Sequence, residues 1–131
     1  MNDADLQVKS DARAFADLAQ IAPQRIWEGV VGRVVYGEQL TIAFVELEPG
    51  SVVPEHSHAN EQVGLLLNGT LRFRIGAEER ELLPGATWRI LAHVPHEVVV
   101  GPEGAVVVES FAPPRDDWRA LEREEPRPVD V

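Results

Sequence analysis

From Ile26 onward the chain alternates short runs rich in Val, Ile, Leu and Thr with breaks of Gly, Pro and Asn, the pattern of many short strands joined by tight turns. It predicts strands at Trp27–Tyr36, Leu40–Leu47, Gln62–Leu67, Leu71–Ile75, Arg80–Leu82, Thr87–Leu91, Glu97–Val100 and Ala105–Phe111. Turn chemistry separates them at Tyr36-Gly37, Glu48-Pro49-Gly50, Asn68-Gly69, Pro84-Gly85 and Gly101-Pro102-Glu103-Gly104. About eight strands at this spacing predict an all-β sandwich or small barrel. Within Leu71–Ile75, Leu71, Phe73 and Ile75 alternate with Arg72 and Arg74, which predicts an exposed charged face on a half-buried strand. A barrel-lining pair of arginines that contacts an acid is the other reading. Ahead of the strands, Phe15, Leu18 and Ile21 have helix-like spacing before Pro23, as in a short helical turn or a packed arm. Residues 1–13 are polar and read as loosely held. The predicted divisions are an N-terminal arm over 1–25, a barrel over 26–118 and a charged, solvated tail over 119–131.

A length of 131 residues suits one domain. Charge changes the picture more. The chain has 12 Lys and Arg against 22 Asp and Glu, so its field repels polyanions and argues against nucleic acid as a partner. The same field repels a small acidic substrate unless a local cation reverses the potential inside a pocket. Cysteine is absent, which removes disulfides, thiolate metal ligands and a thiol nucleophile together. No apolar run approaches the ~20 residues of a membrane helix, and the charged first residues do not resemble a secretory signal. No membrane partner is predicted, and the expected location is the cytoplasm.

Candidate chemistry concentrates in PEHSHANEQVG, residues 54–64. Residues two apart on an extended chain face the same way, so His56 and His58 project together, roughly 7 Å apart at the backbone. Gln62 has their parity and Glu61 the opposite one, which suits Glu61 to solvent or to orienting a ligand residue. Gly64, in phase with Gln62, either leaves room beside an ion or lets strands pack closely. His96 follows Pro95, which favours extended entry into the next strand. Three neutral imidazoles and one amide oxygen suit one divalent transition metal, Mn, Fe, Co, Ni or Zn, and leave one or two positions open to water or substrate.

Gly50, His56, His58, Gln62 and Gly69 at their spacings resemble the first motif of the cupin superfamily. The second cupin motif, Gly, Pro, Gly, His and Asn in order, is matched by Gly85 and His96, with Leu91, His93 and Val100 at the other positions. His93 thus stands at a motif glycine, where a surface or structural role is expected. The resemblance implies a double-stranded β-helix, the cupin jelly-roll barrel. HSHANEQVG is also similar to a subgroup of small bacterial cupins that includes pectin-degradation proteins associated with ketonising unsaturated uronates. In that subgroup the end segment similar to VVVESFAPPRDDW carries residues that face the metal pocket. By that resemblance Glu109 is the candidate catalytic residue, and Phe111 and Arg115 are candidates for substrate binding.

Glu109 and Phe111 share parity on a predicted strand. For Arg115, a local ion pair with Asp116 or Asp117 competes with substrate contact. Trp27, Trp88 and Trp118 read as packing or dimer-interface residues before sugar-stacking platforms. A neutral Gln62 in place of the usual Glu makes the bound ion a stronger electrophile. The resemblance implies metal-assisted proton transfer on a small sugar acid or keto acid, of the isomerase or tautomerase kind, in a homodimer. The alternatives are an Fe(II)-dependent dioxygenase and a non-catalytic cupin that binds a small ligand.

Overall fold

The computed structural model of the chain describes residues 14–129, so the loosely held stretch expected over 1–13 lies outside the described residues. Eight strands form: β1 (Gln24–Trp27), β2 (Val30–Tyr36), β3 (Thr41–Leu47), β4 (Val52–His56), β5 (Glu61–Ile75), β6 (Glu78–Leu82), β7 (Thr87–Ile90) and β8 (His96–Ala112). All pairings are antiparallel. The fold is the jelly roll that the strand pattern and the cupin resemblance predicted.

β5 and β8 organise it. The first part of β5 and the second part of β8 pair with each other, and β7, β3, β2 and β1 extend that layer. The second part of β5 and the first part of β8 pair again, with β6 and β4 at their sides. Each long strand therefore runs through both layers and closes the cup between them. The sequence predicts two strands in place of each, split at Asn68-Gly69 and at Gly101–Gly104. Those signals mark one shared corner: the register shifts at Leu66/Asn68 and Gly69/Leu71, and Gly69 has φ +82°. A Cβ on Gly69 would stand 1.9 Å from the Gly104 carbonyl oxygen, so the corner needs glycine for close approach as well as for its dihedral.

Trp27–Tyr36, expected as one strand, is two, folded at Glu28-Gly29. β4 is an addition to the predicted set, because Pro54 and the polar Glu55-His56 obscure its alternation. The helical turn before Pro23 is a single 3-10 turn at Leu18–Gln20, and Phe15 is 91% exposed. The segment expected as a solvated tail lies against β1 and β2: Arg123 bridges Gln24, the Glu124 N–H donates to Pro23, and the Arg127 carbonyl accepts from the buried Arg33.

Alternation sets the core. Thr41, Ala43, Val45 and Leu47 of β3 face inward and are buried, as do Leu71 and Phe73 of β5. Arg72 and Arg74 point outward to Glu79 and Glu55, the exposed charged face of the first reading. Two inward rows cross the larger layer, Ile90–Gln62–Phe111–Thr41–Tyr36 and Trp88–Gly64–Glu109–Ala43–Val34. Gln62 and Glu109 lie in these rows.

Candidate metal centre

His56 ends β4 and pairs across the ladder with His96, the first residue of β8. His58 lies two residues beyond His56, and its ring centroid is 4.9 Å from that of His96, against 4.3 Å for His56 and His96. One nitrogen from each ring lies within 4.8 Å of the others, a little wider than the ~3–4 Å that metal–nitrogen bonds of about 2.1 Å impose. These three histidines are positioned to hold one metal ion.

The ring orientations are set by the backbone. Nδ1 of His56, His58 and His96 lies 2.8, 2.9 and 2.9 Å from the carbonyl oxygens of Pro54, Asn60 and Val94. A carbonyl only accepts, so each neutral ring carries its hydrogen on Nδ1 and turns an Nε2 lone pair inward, the arrangement that metal-bound histidines use. Nε2 of His96 is buried and has no hydrogen-bond partner. Nε2 of His58 lies 3.0 Å from Gln62 Oε1. With Glu109 ionised the amide keeps this orientation, because Gln62 Nε2 donates to Glu109 Oε1 at 2.7 Å. Two acceptors then face each other, and a positive charge reconciles them, either a proton on the ring or a metal ion. Burial, aided by the Arg115 charge, lowers the His58 pKa, and burial lowers that of His96 to about 4. A protonated ring is therefore disfavoured, and the donor set fits a divalent transition metal.

Glu109 closes the inner side. Its carboxylate is half-buried and accepts from Gln62 and, at 3.2 Å, from Trp88 Nε1. Burial pushes its pKa up to about 7, against the opposing pull of those two hydrogen bonds and of Arg115. Phe111 is 2% exposed and sets its ring edge-on to His58 at 5.9 Å. Arg115 is also buried; its guanidinium lies 4.2 Å from the Trp118 ring centre and 5.0 Å from that of Phe111. Nε and Nη2 of Arg115 bond to Asp117 at 3.1 and 2.9 Å, and that bond holds the Asp117 pKa below its ordinary value. Asp116 instead pairs with Arg119. Of the two expectations for Arg115, the ion pair forms, with Asp117, and the side chain also lines the site's cavity. His56, Gln62, His96, Glu109, Phe111 and Arg115 all line one cavity of about 60 Å³, room for about two waters.

Residues 43–111, more than half of the chain, match the Cupin domain family. The chain is a cupin. The pectin degradation protein KdgF of Dickeya dadantii is similar to it, 24% identical over 97 residues that cover 72% of this chain and 88% of that protein. Among solved structures, KdgF from Halomonas sp. superposes with a TM-score of 0.74 at 25% identity, over 81% of this cupin and 98% of that chain. An RmlC-like cupin from Shewanella frigidimarina gives 0.75 at 21% identity, over 81% and 96%. None of the described helices is long and apolar enough to cross a membrane.

Three residues of this cupin's site carried no clear signal in the sequence. Trp88, read as packing, also donates to Glu109, and it reaches that carboxylate by crossing Gly64, where a Cβ would stand 2.3 Å from the indole. Gly64 thus serves close packing and leaves its space to Trp88. Asn60 accepts from His58 and donates to the Pro113 carbonyl at 2.6 Å, tying the histidine loop to the segment that carries Arg115. Trp27 follows a bulge in β1, which turns its ring against His56 at 5.2 Å. Glu61 is exposed, and His93 is exposed with φ 66°, its N–H donating to the His58 carbonyl. His93 therefore acts through its backbone.

Proposed function

We propose that this cupin binds one divalent transition metal through His56, His58 and His96, with Gln62 as the fourth ligand, and catalyses proton transfer on a small sugar acid or keto acid. The observation that carries the reading is the Glu109 carboxyl, hydrogen-bonded to the ligand candidate Gln62 beside the three histidines and pushed up to a pKa of about 7 by burial. The similarity to pectin-degradation cupins supports the same substrate class. A metal held there would supply Lewis acidity to a carbonyl or carboxylate oxygen. Glu109 takes the proton from the carbon beside that carbonyl and returns it at the new position, a role that a pKa near working pH favours. Arg115 offsets the substrate's negative charge in a chain of net charge −10, and Phe111 walls the pocket beside His58. With only about 60 Å³ enclosed, the acid end of the ligand enters and its remainder stays at the mouth beside Trp27. We further propose a homodimer. The outward face of the larger layer exposes Val35, Ile42, Val63, Leu65 and Leu67, a patch that a second copy would cover.

The test is proton exchange on an unsaturated uronate or 2-keto sugar acid in D2O, followed by NMR with metal-loaded protein. Deuterium should enter the carbon beside the carbonyl, and Glu109→Gln should slow this by about 10²–10⁴-fold. Oxygen uptake with iron-loaded protein would replace this reading with a dioxygenase. A ligand that raises the melting temperature and is recovered undeuterated would replace it with a binding protein.

A further inference from the structure

A second hollow, of about 580 Å³, opens between β6 and β7, within the ~300–1,000 Å³ range of small-molecule sites. The corner in β5 creates it. β6 pairs with residues 71–75 of β5 and β7 with residues 62–65, so the two edge strands part where β5 bends. Phe73, Ile75, Leu82 and Trp88 supply its apolar lining, and Arg80, Arg89 and Glu78 its charged groups. Arg80 stands opposite Phe73 in the ladder, which puts it on the inward side of β6, while Arg89 follows the buried Trp88 and reaches the cleft from its rim. Every other arginine among the described residues holds a hydrogen bond or ion pair within the chain. Arg80 and Arg89 hold none, in a chain with 22 acidic residues. Two unpartnered guanidinium groups thus border one aromatic-floored cleft, Arg80 from the inward side of β6 and Arg89 from the rim.

We propose that this cleft is a second ligand site, for a small organic monocarboxylate with a flat apolar body. The carboxylate bonds Arg80, with Arg89 at the rim, and the body lies on Phe73 and Trp88. Glu78 disfavours a second negative charge on the ligand. Trp88 also lines the metal cavity and donates to Glu109 at 3.2 Å, so its indole N–H reports on both hollows. The site stands apart from the reaction proposed above and does not depend on it.

Zinc-loaded, full-length, 15N-labelled protein titrated with benzoate tests this. The Trp88 indole resonance, assigned by its loss in Trp88→Phe, should shift saturably. Inorganic phosphate, a charge without a body, and benzyl alcohol, a body without a charge, should bind more weakly. Arg80→Gln should weaken benzoate at least tenfold and Arg89→Gln a few-fold, with dispersed spectra showing that both remain folded. His56→Ala should leave benzoate affinity unchanged. An absent or unsaturable shift overturns the proposal, as does unchanged affinity in Arg80→Gln. Loss of binding in His56→Ala would place benzoate in the metal cavity and overturn it too. Self-association of Arg80→Gln with benzoate affinity intact would make the arginine an edge guard against strand pairing instead.

Discussion

Gln62 and Leu66 lie on the same strand, face the same interior and are both buried, at 5% and 0% exposure, yet the two ends of the cup they mark follow opposite rules. Around Leu66 the inward residues are Val45, Leu71, Val100 and Val107, and burial is favourable at about 25 cal/mol per Å² of apolar surface. Around Gln62 the residues are imidazoles, a carboxyl and a guanidinium, for which burial is unfavourable until each finds a partner. Backbone carbonyls, Asp117 and Trp88 provide partners for most of them. The inward Nε2 atoms and Gln62 Oε1 remain as converging acceptors. One end holds the frame, and the other is held by the frame in an arrangement that a cation completes.

The sharpest break between the ends is His56→Ala with His58→Ala. Bound metal should vanish in elemental analysis, while circular dichroism stays β-rich, because apolar rows and not the ion build the core. Loss of the fold would show that the metal end carries stability as well. Leu66→Ala should do the reverse, lowering unfolding free energy in urea by about 2–5 kcal/mol while the folded fraction still binds metal at wild-type stoichiometry.

A third test uses pH on chelator-treated protein. Glu109 binds its proton more tightly when folded, so its stabilisation is complete below about pH 4.5 and is lost as pH rises through about 7. Glu109→Gln removes that loss and should gain on the wild type by roughly 3 kcal/mol across the window. His96, held neutral by burial, acts oppositely: its contribution is present above pH 6.5 and is lost as pH falls through about 4. Urea midpoints at half-unit pH steps would resolve the two, and a Glu109→Gln difference that does not change with pH would contradict the burial of that carboxyl.

The smallest effect joins the two ends. Gly64→Ala should push Trp88 off Glu109 and destabilise by about 1–3 kcal/mol, with a shifted indole N–H resonance as the marker. An unmoved resonance would show that the backbone yields before Trp88 does.

The frame was largely legible in the sequence because alternation and turn residues report burial directly. His56, His58 and Gln62 were picked out by parity and His96 by the proline before it and the motif resemblance; the structure brings them together, but β4 ends at His56, so the loop at 57–60 and not one continued strand sets His58 beside Gln62. What escaped depends on partners far along the chain. Asn68-Gly69 carries hairpin chemistry, and a bulge at a sheet corner demands the same left-handed glycine; only the pairing with β8 tells them apart. Pro54 hid β4, since proline counts against a strand except at an edge, and β4 is an edge. Gly64 has no side chain to announce Trp88, and Asn60 looks like any loop asparagine until the Pro113 carbonyl is beside it.

Since β3, β4 and β5 all take β8 as a neighbour, neither layer can close on the ribosome until residues 96–112 have emerged. Until then a nascent chain presents bare edges on β3, β4 and β5, which makes those three strands the segments on which a holdase has most to gain. It also makes truncation before residue 96 an aggregation hazard, since no smaller stable domain is left behind.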